Sequence, residues 1–241
     1  MVLALGAVIA GFVNGFAGFG TALVASGFWF LVLPADVVPP LIIISALAGQ
    51  VVGLIRLSGQ MKWGRSAHLV SGGLVGVPLG AALLGYLNPQ AVKAAIGIFL
   101  VIYAALQFRG LPDLIRNDHK DGRADRFVGF FGGILGGFAG LSGPVPLVWL
   151  QLNKLSPIAQ RERYQPFNLI ILGFAAIMLV FFGKLDRTLM IYGAVAVPCS
   201  MVGAAIGVRA FIGVSAATFN NVVLGLLLLS GGIIVVQSAA F

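Results

Sequence analysis

Apolar residues run through this chain in long blocks separated by short polar stretches. A helix needs about 20 apolar residues to cross the hydrocarbon core of a bilayer. Blocks of that kind fall at approximately 2–33, 38–57, 67–86, 91–108, 127–152, 167–183, 188–208 and 216–238. The pattern predicts an all-α polytopic membrane protein of eight apolar segments. The longest polar stretch, 109–126, has 18 residues, five basic and four acidic. No extramembrane domain fits there, so the function is expected inside the bilayer.

The second half of the chain echoes the first. Gly15-Phe16-Ala17-Gly18 matches Gly137-Phe138-Ala139-Gly140 at an offset of 122, and Leu33-Pro34 falls beside Leu155-Ser156. Gly59-Gln60-Met61-Lys62 aligns with Gly183-Lys184-Leu185-Asp186 at an offset of 124, and Gly80-Ala81-Ala82 with Gly203-Ala204-Ala205 at 123. One Gly-rich match in such a chain means little, but four in order at nearly constant offset read as a tandem duplication. The expected organisation is a first transmembrane repeat at 1–108, a linker loop at 109–126 and a second transmembrane repeat at 127–241.

The first segment of each half is unusual. Residues 2–33 would form a helix of about 48 Å, against a hydrocarbon core of about 30 Å. Gly18-Phe19-Gly20 interrupts it, and Leu141-Ser142-Gly143-Pro144-Val145-Pro146 interrupts its counterpart. Glycine weakens helical backbone, and proline removes a donor and clashes with the preceding turn. Both segments read as broken helices, and such backbone is tolerated at membrane depth only against protein or a water-filled cavity. Loop charge separates two topologies. If all eight segments cross, the 15 Lys and Arg divide ten to five; if segments one and five re-enter as hairpins, they divide twelve to three. The positive-inside rule prefers the second split, which inverts the halves relative to each other.

Composition narrows the class further. Only 9% of residues are charged and 59% are hydrophobic, with a mean hydropathy of +1.05; a soluble domain carries about 25% charged residues. The net charge of +8 and a pI near 10.3 would suggest nucleic acid in a soluble chain. Here the cations lie between apolar segments, as loops retained in the cytoplasm do, so no nucleic-acid partner is expected. The single cysteine, Cys199, excludes an intrachain disulfide and reads as a packing residue. His68 and His119 lack neighbours at metal-ligand spacing, so no metal or other cofactor is expected. The chain opens apolar at Val2 without a basic leader, which reads as a retained segment. Trp63 beside Lys62 and Arg65 reads as an interfacial anchor, and Asn220 and Asn221 as interhelical hydrogen-bonding residues.

Paired broken helices in inverted repeats point to a secondary transporter with its substrate near the midplane. A break exposes backbone N–H groups and the positive end of a helix dipole, which can hold an anion without a charged side chain. The candidate substrate-binding residues are therefore Asn14, Gly18, Phe19, Gly20 and Thr21 in the first break, and Gly140, Leu141, Ser142, Gly143 and Pro144 in the second. The Thr21 and Ser142 hydroxyls could donate to an oxyanion, or could bond the carbonyl one turn back as Ser and Thr do in membrane helices. The stretch Gln160 to Asn168 adds candidates: Arg163 to attract an anion, with Gln165 and Asn168 as directional donors. Arg161 and Arg163 could equally anchor the loop at headgroups. Gly11/Gly15, Gly72/Gly76/Gly80, Gly136/Gly140 and Gly203/Gly207 follow the small-xxx-small spacing of helix packing. Gly140-Leu141-Ser142-Gly143 also fits the pattern of intramembrane serine proteases, but no histidine follows His119 to take the serine proton. No phosphate-binding Gly-x-x-x-x-Gly-Lys-Ser/Thr loop is present, and no enzyme activity is expected.

With these repeats in place, the chain resembles the sulfite exporter TauE/SafE family of bacterial membrane transporters over essentially its whole length. The resemblance rests on the Gly-rich openings Gly15 to Thr21 and Gly137 to Pro146. It rests also on the polar turns Gly59-Gln60-Met61-Lys62-Trp63 and Gly183-Lys184-Leu185-Asp186-Arg187, and on the Ser156-Pro157 to Asn168 connection with its arginine. The first break, Gly18-Phe19-Gly20-Thr21, lacks the proline of the second. The resemblance implies ATP-independent export of a sulfur-containing anion, such as sulfite or an organosulfonate, across the inner (plasma) membrane. A homo-oligomer is compatible with it. An anion or small-solute channel, and a membrane subunit or assembly factor needing a partner, are the alternatives.

Overall fold

The computed structural model describes residues 1–57, 63–86, 88–109, 122–153 and 155–211. The expected last segment (216–238), the two asparagines within it, most of the 109–126 linker and the polar residues 58–62 lie outside them. Every regular element among the described residues is helical: α1 (Val2–Ala17), α2 (Thr21–Trp29), α3 (Val38–Leu57), α4 (Trp63–Tyr86), α5 (Pro89–Phe108), α6 (Arg123–Ala139), α7 (Pro144–Leu152), α8 (Pro157–Phe181) and α9 (Arg187–Phe211). Four stretches of these helices are long and apolar enough to cross a membrane: Val38–Arg56, Trp63–Tyr86, Ile158–Phe181 and Arg187–Ala210. Their outward faces carry exposed Leu74, Val75, Leu79, Ile177, Val180, Val202 and Ile206. An apolar exterior of this extent suits lipid. The protein is an all-helical, multi-pass membrane protein.

Both long opening segments are interrupted. α1 stops at Gly18, whose φ of 78° is left-handed and whose N–H returns to Asn14 O at 2.6 Å. α6 stops at Gly140, φ 68°, with Gly140 N–H on Gly136 O at 2.9 Å and Leu141 N–H on Leu135 O at 3.1 Å. These are glycine C-caps that satisfy the last carbonyls of a helix. α4 and α6 each begin four residues ahead of the expected 67 and 127, and two further boundaries differ more consequentially. Pro144 and Pro146 do not lie in the gap; they belong to the first turn of α7. The N–H that proline lacks has no partner at a helix start, so proline serves there as an initiator. α8 begins at Pro157, ten residues ahead of the expected 167, because Ser156 caps it by accepting from Ala159 N–H at 3.3 Å. The stretch Gln160–Asn168, read above as a connection, is therefore helical.

The helices pack crosswise between the two parts of the chain. α1 lies along α9 and α6 along α4; α3 packs on α9 and on α8, and α8 on α4. The α1/α9 and α4/α6 seams are lined by glycine. A methyl group built at Gly11 would stand 2.1 Å from Ser200 O, and one at Gly203 2.1 Å from Val8 O. Across the other seam, Gly76 meets Phe130 O and Gly133 meets Gly73 O, both at 2.1 Å. No Cβ fits at such distances, so these glycines allow backbone-to-backbone contact, the means by which membrane helices associate without a hydrophobic driving force. Gly136 differs, since its methyl would meet the Ile171 and Ser142 side chains.

Candidate functional site

The two breaks face each other inside the bundle. Gly143 lies so close to Phe19 that a methyl group on it would stand 2.7 Å from Phe19 Cβ. Between them is a small cavity lined by Asn14, Phe19 to Leu23, Ala46, Gln50, Gly140 to Pro144, Asn168 and Leu172. Its free volume is about 10 Å³, roughly what one water molecule needs. Ten of the thirteen candidate residues line it. Gly18 contributes through its carbonyl, described next, while Arg163 and Gln165 do not reach the cavity wall.

The four carbonyls that end α1 have no intrahelical partner, and side chains from α3 and α8 take all four. Arg161 Nη2 donates to Gly15 O at 2.8 Å and Nη1 to Phe16 O at 3.1 Å. Tyr164 Oη donates to Ala17 O. Gly18 O accepts from Gln50 Nε2 at 2.7 Å and from Asn168 Nδ2 at 3.2 Å. Arg161, Tyr164, Gln165 and Asn168 recur three and four residues apart, so α8 presents them on one face. Gln165 Oε1 accepts from Arg161 Nε at 2.9 Å, which fixes the guanidinium rather than reaching a ligand. The buried arginine is thus Arg161, 5% exposed; Arg163, on another face of α8, engages through its backbone carbonyl, which accepts from Ser66 Oγ at 2.7 Å. A guanidinium at the negative end of α1 is favoured by the helix dipole.

The hydroxyls divide by chemistry. Ser26 bonds back to Ala22 O at 2.6 Å, the ordinary helical arrangement. Ser142 instead donates to Asn168 Oδ1 at 3.0 Å, tying the second break to α8. Thr21 Oγ1 is buried without a hydrogen-bond partner among the described residues, as is Gln50 Oε1. The carbonyl one turn back from Thr21 is Ala17 O, already engaged by Tyr164. Gln50 was missed from sequence; its signal was a lone amide near the middle of the apolar 38–57 run.

The cavity also meets two helix N-termini, neither with a side-chain cap. The first intrahelical bond of α2 runs from Val24 N–H to Gly20 O at 3.2 Å, which leaves Thr21, Ala22 and Leu23 N–H ahead of it without intrahelical acceptors. In α7 the corresponding bond is Leu147 N–H to Gly143 O at 3.0 Å, and Pro144 and Pro146 carry no N–H. The α2 end is therefore the richer donor array. Among the described residues, no three His, Cys, Asp or Glu side chains gather as a metal site.

The comparisons with known proteins agree on one family. A family model described as sulfite exporter TauE/SafE matches residues 3–234. A relative from Cupriavidus necator, described as "Probable sulfite/organosulfonate exporter TauE", is 24% identical over 217 residues, covering 88% of this chain and 84% of its own. No solved structure matches the chain. The match spans nearly all of the sequence, including both breaks and the face of α8 that closes them: the chain belongs to the sulfite exporter TauE/SafE family of membrane transporters.

Proposed function

We propose that this protein is a secondary transporter that exports a small sulfur-containing anion, sulfite or an organosulfonate, across the inner membrane, with the anion bound between the two breaks. The observation that carries this reading is the cavity itself. It combines the uncapped N-terminus of α2, the unpartnered Thr21 hydroxyl and the second break in one buried place. A helix N-terminus and aligned N–H groups favour a negative ligand. The cavity in its present form is too small for any sulfonate, so binding requires the breaks to part. That is the behaviour of an occluded state in an alternating-access cycle.

The packing supports a two-half organisation, 1–108 and 127–241. Setting α1, α2, α3 and α4 against α6, α7, α8 and α9 turns most of the helix pairings into one another, α1 on α9 becoming α6 on α4 and α3 on α9 becoming α8 on α4. Export of an anion needs no ATP, because an inside-negative potential drives each negative charge outward by about 2.3 kcal/mol per 100 mV.

The test is flux of radiolabelled sulfite into proteoliposomes holding only this chain, with unlabelled sulfate, thiosulfate and organosulfonates as competitors. Saturable flux, competed by sulfonates, is expected. Flux that rises linearly with concentration would assign a channel instead, and no flux from folded protein would show that a partner or a different solute is required.

A further inference from the structure

We propose that the site selects anions that carry their own hydrogen-bond donor, hydrogen sulfite rather than the sulfite dianion and hydroxy- or aminoalkyl sulfonates rather than plain alkyl ones, and that Gln50 makes the selection. The inference rests on the transporter reading above.

It follows from the two side-chain atoms that the cavity leaves unpaired. Thr21 and Gln50 are each 2% exposed, both line the cavity, and Thr21 Oγ1 and Gln50 Oε1 lack partners among the described residues. The two are of opposite use. The hydroxyl can give a proton to an oxyanion, as can the N–H groups that open α2. The amide oxygen can only accept. Its orientation is set, because Gln50 Nε2 is spent on Asn14 Oδ1 at 2.8 Å and on Gly18 O at 2.7 Å. Asn14 cannot turn to relieve it, since Asn14 Nδ2 donates to Ala46 O at 3.0 Å. Gln50 Oε1 is therefore what this side chain has left to offer a ligand in the cavity it lines, and a fully ionised sulfite there would set oxygen against oxygen. A ligand with an O–H or N–H satisfies both ends at once. A buried acceptor left unmet costs its desolvation, and sites built to bond a substrate hydroxyl reject the analogue that lacks it.

Two sulfonates of equal charge and nearly equal size isolate this term: 2-hydroxyethanesulfonate and 1-propanesulfonate, which differ by a hydroxyl in place of a methyl. In proteoliposomes of the full chain, the hydroxyl compound is expected to inhibit labelled sulfite flux at a concentration at least about tenfold lower, the scale of one unmet buried hydrogen bond. Gln50→Met, which keeps the length and removes the acceptor, is expected to bring that ratio close to one. Thr21→Val is expected to weaken both inhibitors alike, because its hydroxyl faces the sulfonate oxygens they share. Total sulfite held constant while pH rises through neutrality, where hydrogen sulfite gives way to the dianion, should lower flux. The inhibition constant of the non-titrating hydroxyethanesulfonate should stay level over the same range. Equal inhibition of the wild-type protein by the two sulfonates would overturn the inference and assign Gln50 Oε1 a bound water only, while leaving saturable sulfite transport intact. The wild-type comparison stands even if Gln50→Met does not fold. Absence of saturable flux from folded protein would overturn both readings.

Discussion

The side chains around the first break do two different jobs, and substitutions should separate them. Thr21 Oγ1 bonds nothing among the described residues, so Thr21→Val, which keeps its shape, should leave thermal unfolding unchanged. Its apparent affinity for the anion should fall about tenfold in flux assays, the effect of one buried hydrogen bond to a charged group. Ser142→Ala should do the reverse in part: it strips Asn168 Oδ1 of its donor, at about 1–2 kcal/mol of stability, visible as a lower unfolding midpoint in detergent. Arg161→Leu removes two hydrogen bonds to buried carbonyls at the end of α1 and should sharply reduce the yield of folded protein. Arg163→Leu should be tolerated, because the Ser66 bond to its backbone carbonyl survives any side chain. If Arg163→Leu abolished flux in folded protein, the contrast drawn between the two arginines would be wrong.

At the scale of helices, the glycine seams set what can be changed. Gly15→Val would drive its side chain into the Ala204 backbone, where even a Cβ stands 2.1 Å from the carbonyl oxygen, and should part α1 from α9. Gly64→Ala, in the first turn of α4 with nothing among the described residues within 4 Å, should be neutral or stabilise by up to about 1 kcal/mol through helix propensity. Comparing the unfolding midpoints of the two variants checks both. These elements also show what could be read in advance. The stops at Gly18 and Gly140 were legible because glycine is the residue that takes the left-handed cap. The start of α7 was misread because proline breaks a helix interior yet opens a helix, and only the preceding glycine cap decides which. The early start of α8 was missed because its first turns are too polar to count as membrane-spanning, although Ser156-Pro157 is a start signal. With that start unrecognised, the periodicity of Arg161, Gln165 and Asn168 could not be seen, and the arginine chosen as the ligand was Arg163. Gln50 escaped because its partners, Asn14 and Gly18, lie 36 and 32 residues away, a pairing that only the fold creates.

For the whole molecule, the sign of the membrane potential is the informative variable. If the transported species is an anion moving without a compensating ion, flux into vesicles should rise with a potassium diffusion potential positive inside and fall with one negative inside. Flux indifferent to both would show electroneutral exchange. The crosswise packing has a consequence for how the protein is made. α1 makes its most extensive helix contact with α9, and about 170 residues separate the end of the one from the start of the other. At ribosomal speeds of about 5–20 residues per second, the first helix waits roughly 10–30 s for its mate. During that time its glycine face, shaped for another backbone, has only lipid or the insertion machinery against it. Faults in the seam should therefore surface during biogenesis, as young chains cleared by quality-control proteases, more than as finished transporters that work slowly.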